Sequence, residues 1–134
     1  MDGVKLNSLK IITHPKGDIL HAVKSSSKDF GKFGEAYFSM INFQEIKGWK
    51  MHTEMVLNFV VPIGQVKVVV FDGENYLTTI LSKSNYQRLT IGPNLWVAFK
   101  GLSKINLILN IASIEHNPKE SISKDLNELD YDWN

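Results

Sequence analysis

The chain contains no cysteine. That absence excludes a disulfide framework, thiolate zinc sites and a cysteine nucleophile, and it agrees with a reducing cytoplasm. An excess of charge is lacking too. The 15 Lys and Arg stand against 14 Asp and Glu, for a formal net charge of +1. No broad field is available to draw in nucleic acid. The opening MDGVKLNSLK lacks the long apolar core of a signal peptide. The longest apolar runs, such as VKVVVF, are far too short to span a bilayer. No glycine-rich phosphate loop, nucleophile elbow, repeat or low-complexity tract occurs. The expectation is one soluble, cytoplasmic domain over residues 1–134 that engages neither nucleic acid nor membrane. A chain of this size buries roughly two-thirds of its unfolded surface, so it needs no metal or disulfide to fold.

What is present is a series of short apolar runs: VKLNSLKII, DILHAVK, AYFSMINF, MVLNFVVPI, VKVVVF, YLTTIL, YQRLTI, LWVAF and KINLILNIA. They have strand length and are rich in Val, Ile, Leu, Phe and Tyr. Turn signals such as HPKGD, FDGEN, SKSN and IGPN separate them. About nine strands at near-regular spacing predict an all-β sandwich or barrel. NFVVPI and KVVVF are apolar on both faces, so one face meets the core and the other a second sheet, a partner subunit or a ligand cavity. The tail is different. Between Lys119 and Leu129, Ile122, Leu126 and Leu129 fall at helical spacing, which predicts a short C-terminal helix or turn packed on the sheet.

His52, in KGWKMHTEM, is the residue with the most chemistry to offer. A divalent metal needs three or four nitrogen and oxygen ligands. HTE supplies one histidine and one glutamate, and Val97 stands where a later strand would bring another histidine, so no bound metal or cofactor is expected. A general base is the second option, because histidine titrates near neutrality and can take a proton from carbon beside a carbonyl. Such a base works best with a carboxylate on its other ring nitrogen, and Asp125 is a candidate. A partly buried structural histidine is the third option. His14 reads as surface, His21 can face either way, and His116 reads as a local turn contact. Lys16, Lys47 and Lys50 are candidate phosphate-binding charges, although a solvated lysine is the commoner role. Trp96, like Trp49 and Trp133, is a core or interface anchor by default, and at a cavity mouth it would stack on a base or sugar.

The order HPKGDILHAVK, FGEAYFSMI, KGWKMH, PIGQVKVVVFD, NYQRLTIGPNLWVAF, LNIASIEHNPKE and KDLNELDYDW resembles that of the dTDP-4-dehydrorhamnose 3,5-epimerase family, over nearly the whole chain. The resemblance implies a cupin-like jelly roll of two antiparallel sheets, and a homodimer with N-terminal strands packed across the interface. It implies metal-free proton transfer beside the 4-keto group of a nucleotide-linked deoxysugar. A histidine–aspartate dyad would remove the proton, a lysine would steady the enolate and a tyrosine would return a proton. Carried over by position, Lys47-Gly48-Trp49 and His52 match the base element, Asp125 the dyad acid, and Lys16-Gly17 a phosphate-binding Arg-Gly. Asn58 stands near the family lysine and Asn110 near the family tyrosine, so both are candidate donors to an oxyanion. The function implied is a sugar-nucleotide epimerase or isomerase in surface-glycan biosynthesis. The alternative is a non-catalytic cupin that binds a sugar nucleotide or partners another enzyme.

Overall fold

The computed structural model describes residues 1–134 and contains twelve strands. They are β1 (Val4–Ser8), β2 (Ile11–Ile12), β3 (Ile19–Leu20), β4 (Glu35–Met40), β5 (Ile46–His52), β6 (Leu57–Ile63), β7 (Gln65–Phe71), β8 (Tyr76–Ser82), β9 (Gln87–Ile91), β10 (Trp96–Gly101), β11 (Leu107–Ala112) and β12 (Ser121–Ser123). One sheet runs β1-β9-β6-β11-β4 and the other β12-β5-β10-β7-β8, and every pairing within them is antiparallel. Strands β2 and β3 form a separate hairpin. From β4 onward the chain crosses back and forth between the two sheets, which gives the expected cupin-like jelly roll. No helix is long and apolar enough to cross a membrane.

The doubly apolar strands are explained by two separate cores. On β7, Val66, Val68 and Val70 join Leu57, Phe59, Leu89, Ile91 and Ile108 between the sheets. Val69, on the opposite face, packs with Trp49 and Ala98. That outer face is covered by the C-terminal tail, whose Tyr131 and Trp133 rings lie 6.3 and 5.8 Å from the Trp49 ring. The Trp49 indole N–H donates to the Leu126 carbonyl, 3.3 Å away. The cover is thus none of the three expected, a second sheet, a partner subunit or a ligand cavity, but the chain's own C-terminal tail.

Residues 119–129 do not form one helix. Pro118–Glu120 and Leu126–Glu128 are single 3₁₀ turns on either side of β12. Asn117 caps the first turn by accepting from the Lys119 amide, and Pro118 suits its first position. Pairing with β5 then takes Ser121–Ser123 into the sheet edge, a tertiary contact that overrides the helical spacing.

Two bulges shape the region between the sheets. Val97 pairs with Lys50, and Phe99 with Lys47, so β5 holds one residue more than β10 across that stretch. The extra residue breaks the in–out alternation at Gly48 and Trp49. Gly48 has φ of +146°, and a Cβ there would stand 2.4 Å from Ala98 Cβ, so only glycine fits. Strand β6 carries a similar irregularity opposite Leu107–Leu109, which accommodates Pro62.

Candidate active site

Between the sheets lies a cavity of about 360 Å³, a size in the range of small-ligand sites. Its floor is apolar, with Met55, Leu57, Phe59, Phe99 and Ile108. Its walls carry His52, Lys47 and Lys50 from β5, Lys124 beyond β12, and His116 from the loop after β11. Tyr37 and Ser39 of the edge strand β4 and Asn110 of β11 complete the opposite side.

His52 ends β5 and is mostly buried. Its Nδ1 lies 2.6 Å from Glu120 Oε1. The register that pairs His52 with Ser121 brings Glu120 alongside the turn that follows the histidine. The backbone amides of Glu54 and Met55 both donate to Glu120 Oε2 at 3.0 Å. The Thr53 amide and hydroxyl bind the Glu120 carbonyl. Burial opposes ionisation of Glu120, but the hydrogen bonds from the His52 ring and the two amides outweigh it and hold the carboxyl below its ordinary range. A carboxylate held in this way accepts a hydrogen bond from Nδ1–H of the neutral ring. It leaves Nε2, which has no hydrogen-bond partner in the protein, as the free lone pair.

Asn110 is buried and fixed at both ends of its amide. Its Oδ1 accepts from the Asn58 backbone amide at 3.0 Å, and its Nδ2 donates to the Tyr37 hydroxyl oxygen at 2.9 Å. Tyr37 is its cross-strand partner on β4. The phenol accepts from Asn110, so its own O–H remains free to donate. Asn110 therefore sits where a tyrosine was sought, and its role is to hold a tyrosine that comes from the neighbouring strand.

Not every residue proposed from sequence reaches this cavity. Asp125 is exposed and caps the last 3₁₀ turn, where its amide donates to the Glu128 carboxylate; the partner of His52 is Glu120 instead. The Asp125 match rested on distance from the terminal tryptophan, whereas the pairing is set by the register of β12. Asn58 lies in β6 but faces away from the cavity. Its Nδ2 donates to the carbonyls of Phe30 and Ile111, and its Oδ1 accepts from Thr90, so it is structural. Lys16 is exposed at the tip of the β2–β3 hairpin, outside the cavity. Trp96 is not on the cavity wall; it packs beside the Trp49 cluster, under the Lys124 ammonium. Lys47 and Lys50 do line the cavity, and Lys47 Nζ also donates to the Met40 carbonyl at 2.7 Å. No group of three or more His, Cys, Asp or Glu side chains converges as a metal site would require.

Comparison with known families places this geometry. The family model described as WxcM-like, C-terminal (FdtA) matches residues 2–130. The chain belongs to the WxcM-like, C-terminal family. Among solved structures, this family member is similar to a dTDP sugar isomerase from Desulfovibrio desulfuricans G20, at 31% identity and a TM-score of 0.93, over 98% of this chain and 91% of that one. It shares its fold with the TDP-quinovose 3,4-ketoisomerase WlaRB from Campylobacter jejuni, at 20% identity and a TM-score of 0.81, over 92% and 95% of the two chains. It also shares its fold with the dTDP-6-deoxy-D-glucose-3,5-epimerase RmlC from Legionella pneumophila, at 18% identity and a TM-score of 0.81, over 92% and 73%. No curated protein sequence matches. The kinship expected from the order of motifs is borne out: the chain is a divergent relative of a dTDP sugar isomerase and shares its fold with a dTDP-sugar epimerase.

Proposed function

We propose that the protein is a sugar-nucleotide isomerase or epimerase that moves a proton beside the 4-keto group of a nucleotide-linked deoxysugar. The observation that carries this reading is the His52–Glu120 pair at the cavity wall. In the proposed reaction Nε2 of His52 takes the proton from C3, and the C–H electrons move onto the 4-keto oxygen as an enolate. Glu120 faces the ring from the other side and offsets the charge it gains. Lys47, Lys50 and Lys124 supply positive charge for the diphosphate, and the apolar floor receives the deoxygenated carbon of the sugar.

The fate of the proton decides the product. Return from the His52 ring to C4, with transfer of the 3-hydroxyl proton to the C4 oxygen, moves the ketone to C3 and leaves a hydroxyl on C4. Delivery to C3 from the Tyr37 hydroxyl, on the opposite sheet, inverts that carbon. The test is incubation with TDP-4-keto-6-deoxyglucose, a ligand carried by a related 3,4-ketoisomerase from Thermoanaerobacterium thermosaccharolyticum. Proton NMR of the product separates a 3-keto sugar from a C3 epimer. The rival reading, a non-catalytic sugar-nucleotide binder, is favoured by Asn58 lying outside the cavity, where the family lysine was expected. Binding with no product at all would select it.

We further propose a homodimer. The β2–β3 hairpin exposes Ile12 and Ile19, and the edge strand β4 exposes Phe38 and Met40. An apolar sheet edge is a pairing surface. Because β4 also carries Tyr37 and Ser39, a second copy there would border the cavity. The setting we infer is cytoplasmic synthesis of a deoxysugar for a surface glycan, downstream of a reaction that installs the 4-keto group.

A further inference from the structure

A second cavity, of about 400 Å³, shares no lining residue with the first. It lies on the outer side of the β1-β9-β6-β11-β4 sheet. Leu89 and Ile91 of β9 enter the core, so the alternating Arg88 turns the other way, beneath the segment that follows β3.

Arg88 is 4% exposed. Its Nη1 donates to the Ala22 carbonyl at 3.2 Å. Its Nε is buried and has no hydrogen-bond partner in the protein. No carboxylate forms an ion pair with it. Asp29, the acidic residue on this cavity's wall, is held by Lys5 at 2.8 Å. His21 lines the same cavity, and its Nε2 is likewise buried without a partner in the protein. Lys10, Lys24 and Lys28 add positive charge to the wall.

Asp29 acts on Arg88 only through space and is itself engaged by Lys5, so the buried guanidinium is incompletely compensated, and the cost is relieved by an anion that can accept from its free edge. A guanidinium presents two parallel N–H groups to a planar or tetrahedral oxyanion, which a lysine cannot do. We propose that this second cavity binds a phosphate-type oxyanion, free or carried on a nucleotide, with the Nε edge of Arg88 as the principal contact and His21 Nε2 as a further one. Burial lowers the proton affinity of Arg88 from its ordinary value, and a bound anion would reverse that effect. The site is separate from the catalytic cavity, so occupancy does not require turnover.

The experiment follows the Arg88 Nε–Hε resonance of ¹⁵N-labelled protein, assigned by its loss in Arg88→Lys. Inorganic phosphate is titrated against chloride at constant ionic strength. The expected result is a saturable shift of that resonance. By calorimetry, phosphate affinity should fall about tenfold or more in Arg88→Lys, which keeps the charge and loses the fork. A parallel titration with dTDP identifies the source. A shift at lower concentration than with phosphate assigns a nucleotide-borne group, and the reverse assigns the free ion. Because the readout is the Arg88 signal, binding in the catalytic cavity does not mimic it, and the wild-type titration stands even where the variant folds poorly. An unmoved resonance in millimolar phosphate overturns the proposal. So does a resonance that moves only with protein concentration, which would assign the counter-charge to a second copy of the chain.

Discussion

His52 Nδ1 and Glu120 Oε1 are 2.6 Å apart, although 68 positions separate them in the chain. The pairing of β12 with β5 brings them together, and two backbone amides keep the carboxylate turned toward the ring. Replacing Glu120 by Gln keeps the volume but removes the charge and one of the acceptors. Turnover should fall by about 10²-fold or more, as the imidazole loses its fixed tautomer. Glu120→Ala should in addition cost roughly 3 kcal/mol in urea unfolding, because the ring and two amides are left without their partner.

The same carboxylate sets an acid limit on stability. Its folded form ionises below the ordinary value of 4.5, so its contribution is fully present above that value. The contribution is lost as pH falls below 4.5 and through the lower folded pKa. Urea unfolding between neutral and acid pH should show this decline, and Glu120→Gln should flatten it.

Tyr37 and Asn110 should differ in what they affect most. Tyr37→Phe leaves the buried Asn110 Nδ2 without its acceptor, so stability should fall by about 1 kcal/mol. Turnover should drop by about 10²-fold if Tyr37 returns the proton. Asn110→Ala leaves the buried Asn58 amide without its acceptor and should cost roughly 1–3 kcal/mol. Steady-state kinetics set beside unfolding curves on the two variants checks both.

Much of the fold was legible because the apolar runs are short and the turns well marked. The strand that matters most, β5, was not in that series. Gly48 and the flanking Lys47 and Lys50 interrupt its apolar pattern, and its bulge breaks the alternation a strand reading relies on. His52 was found by its chemistry instead. Glu120 carried no signal of its own, because nothing local in NPKES announces a return to β5. Tyr37 was hidden for a similar reason: it reaches the cavity only through the cross-strand pairing of β4 with β11. His116, read as a turn residue, stands on the cavity wall, carried there by the loop after β11.

Asp125 provides the negative control. It is exposed and lies outside the cavity, so Asp125→Asn should leave kcat and KM within about twofold of wild type, the usual reach of a surface change away from the site. Loss of turnover in this variant, with Glu120→Gln unaffected, would reverse the assignment of the dyad.

The central claim is that His52, aligned by Glu120, exchanges a proton beside a keto group. The measurement that tests it most directly is deuterium uptake from heavy water into TDP-4-keto-6-deoxyglucose, followed by mass spectrometry. Wild type should incorporate solvent deuterium during turnover, and His52→Asn should do so about 10²-fold more slowly or worse while still binding the nucleotide. Exchange at the wild-type rate in His52→Asn would contradict the account.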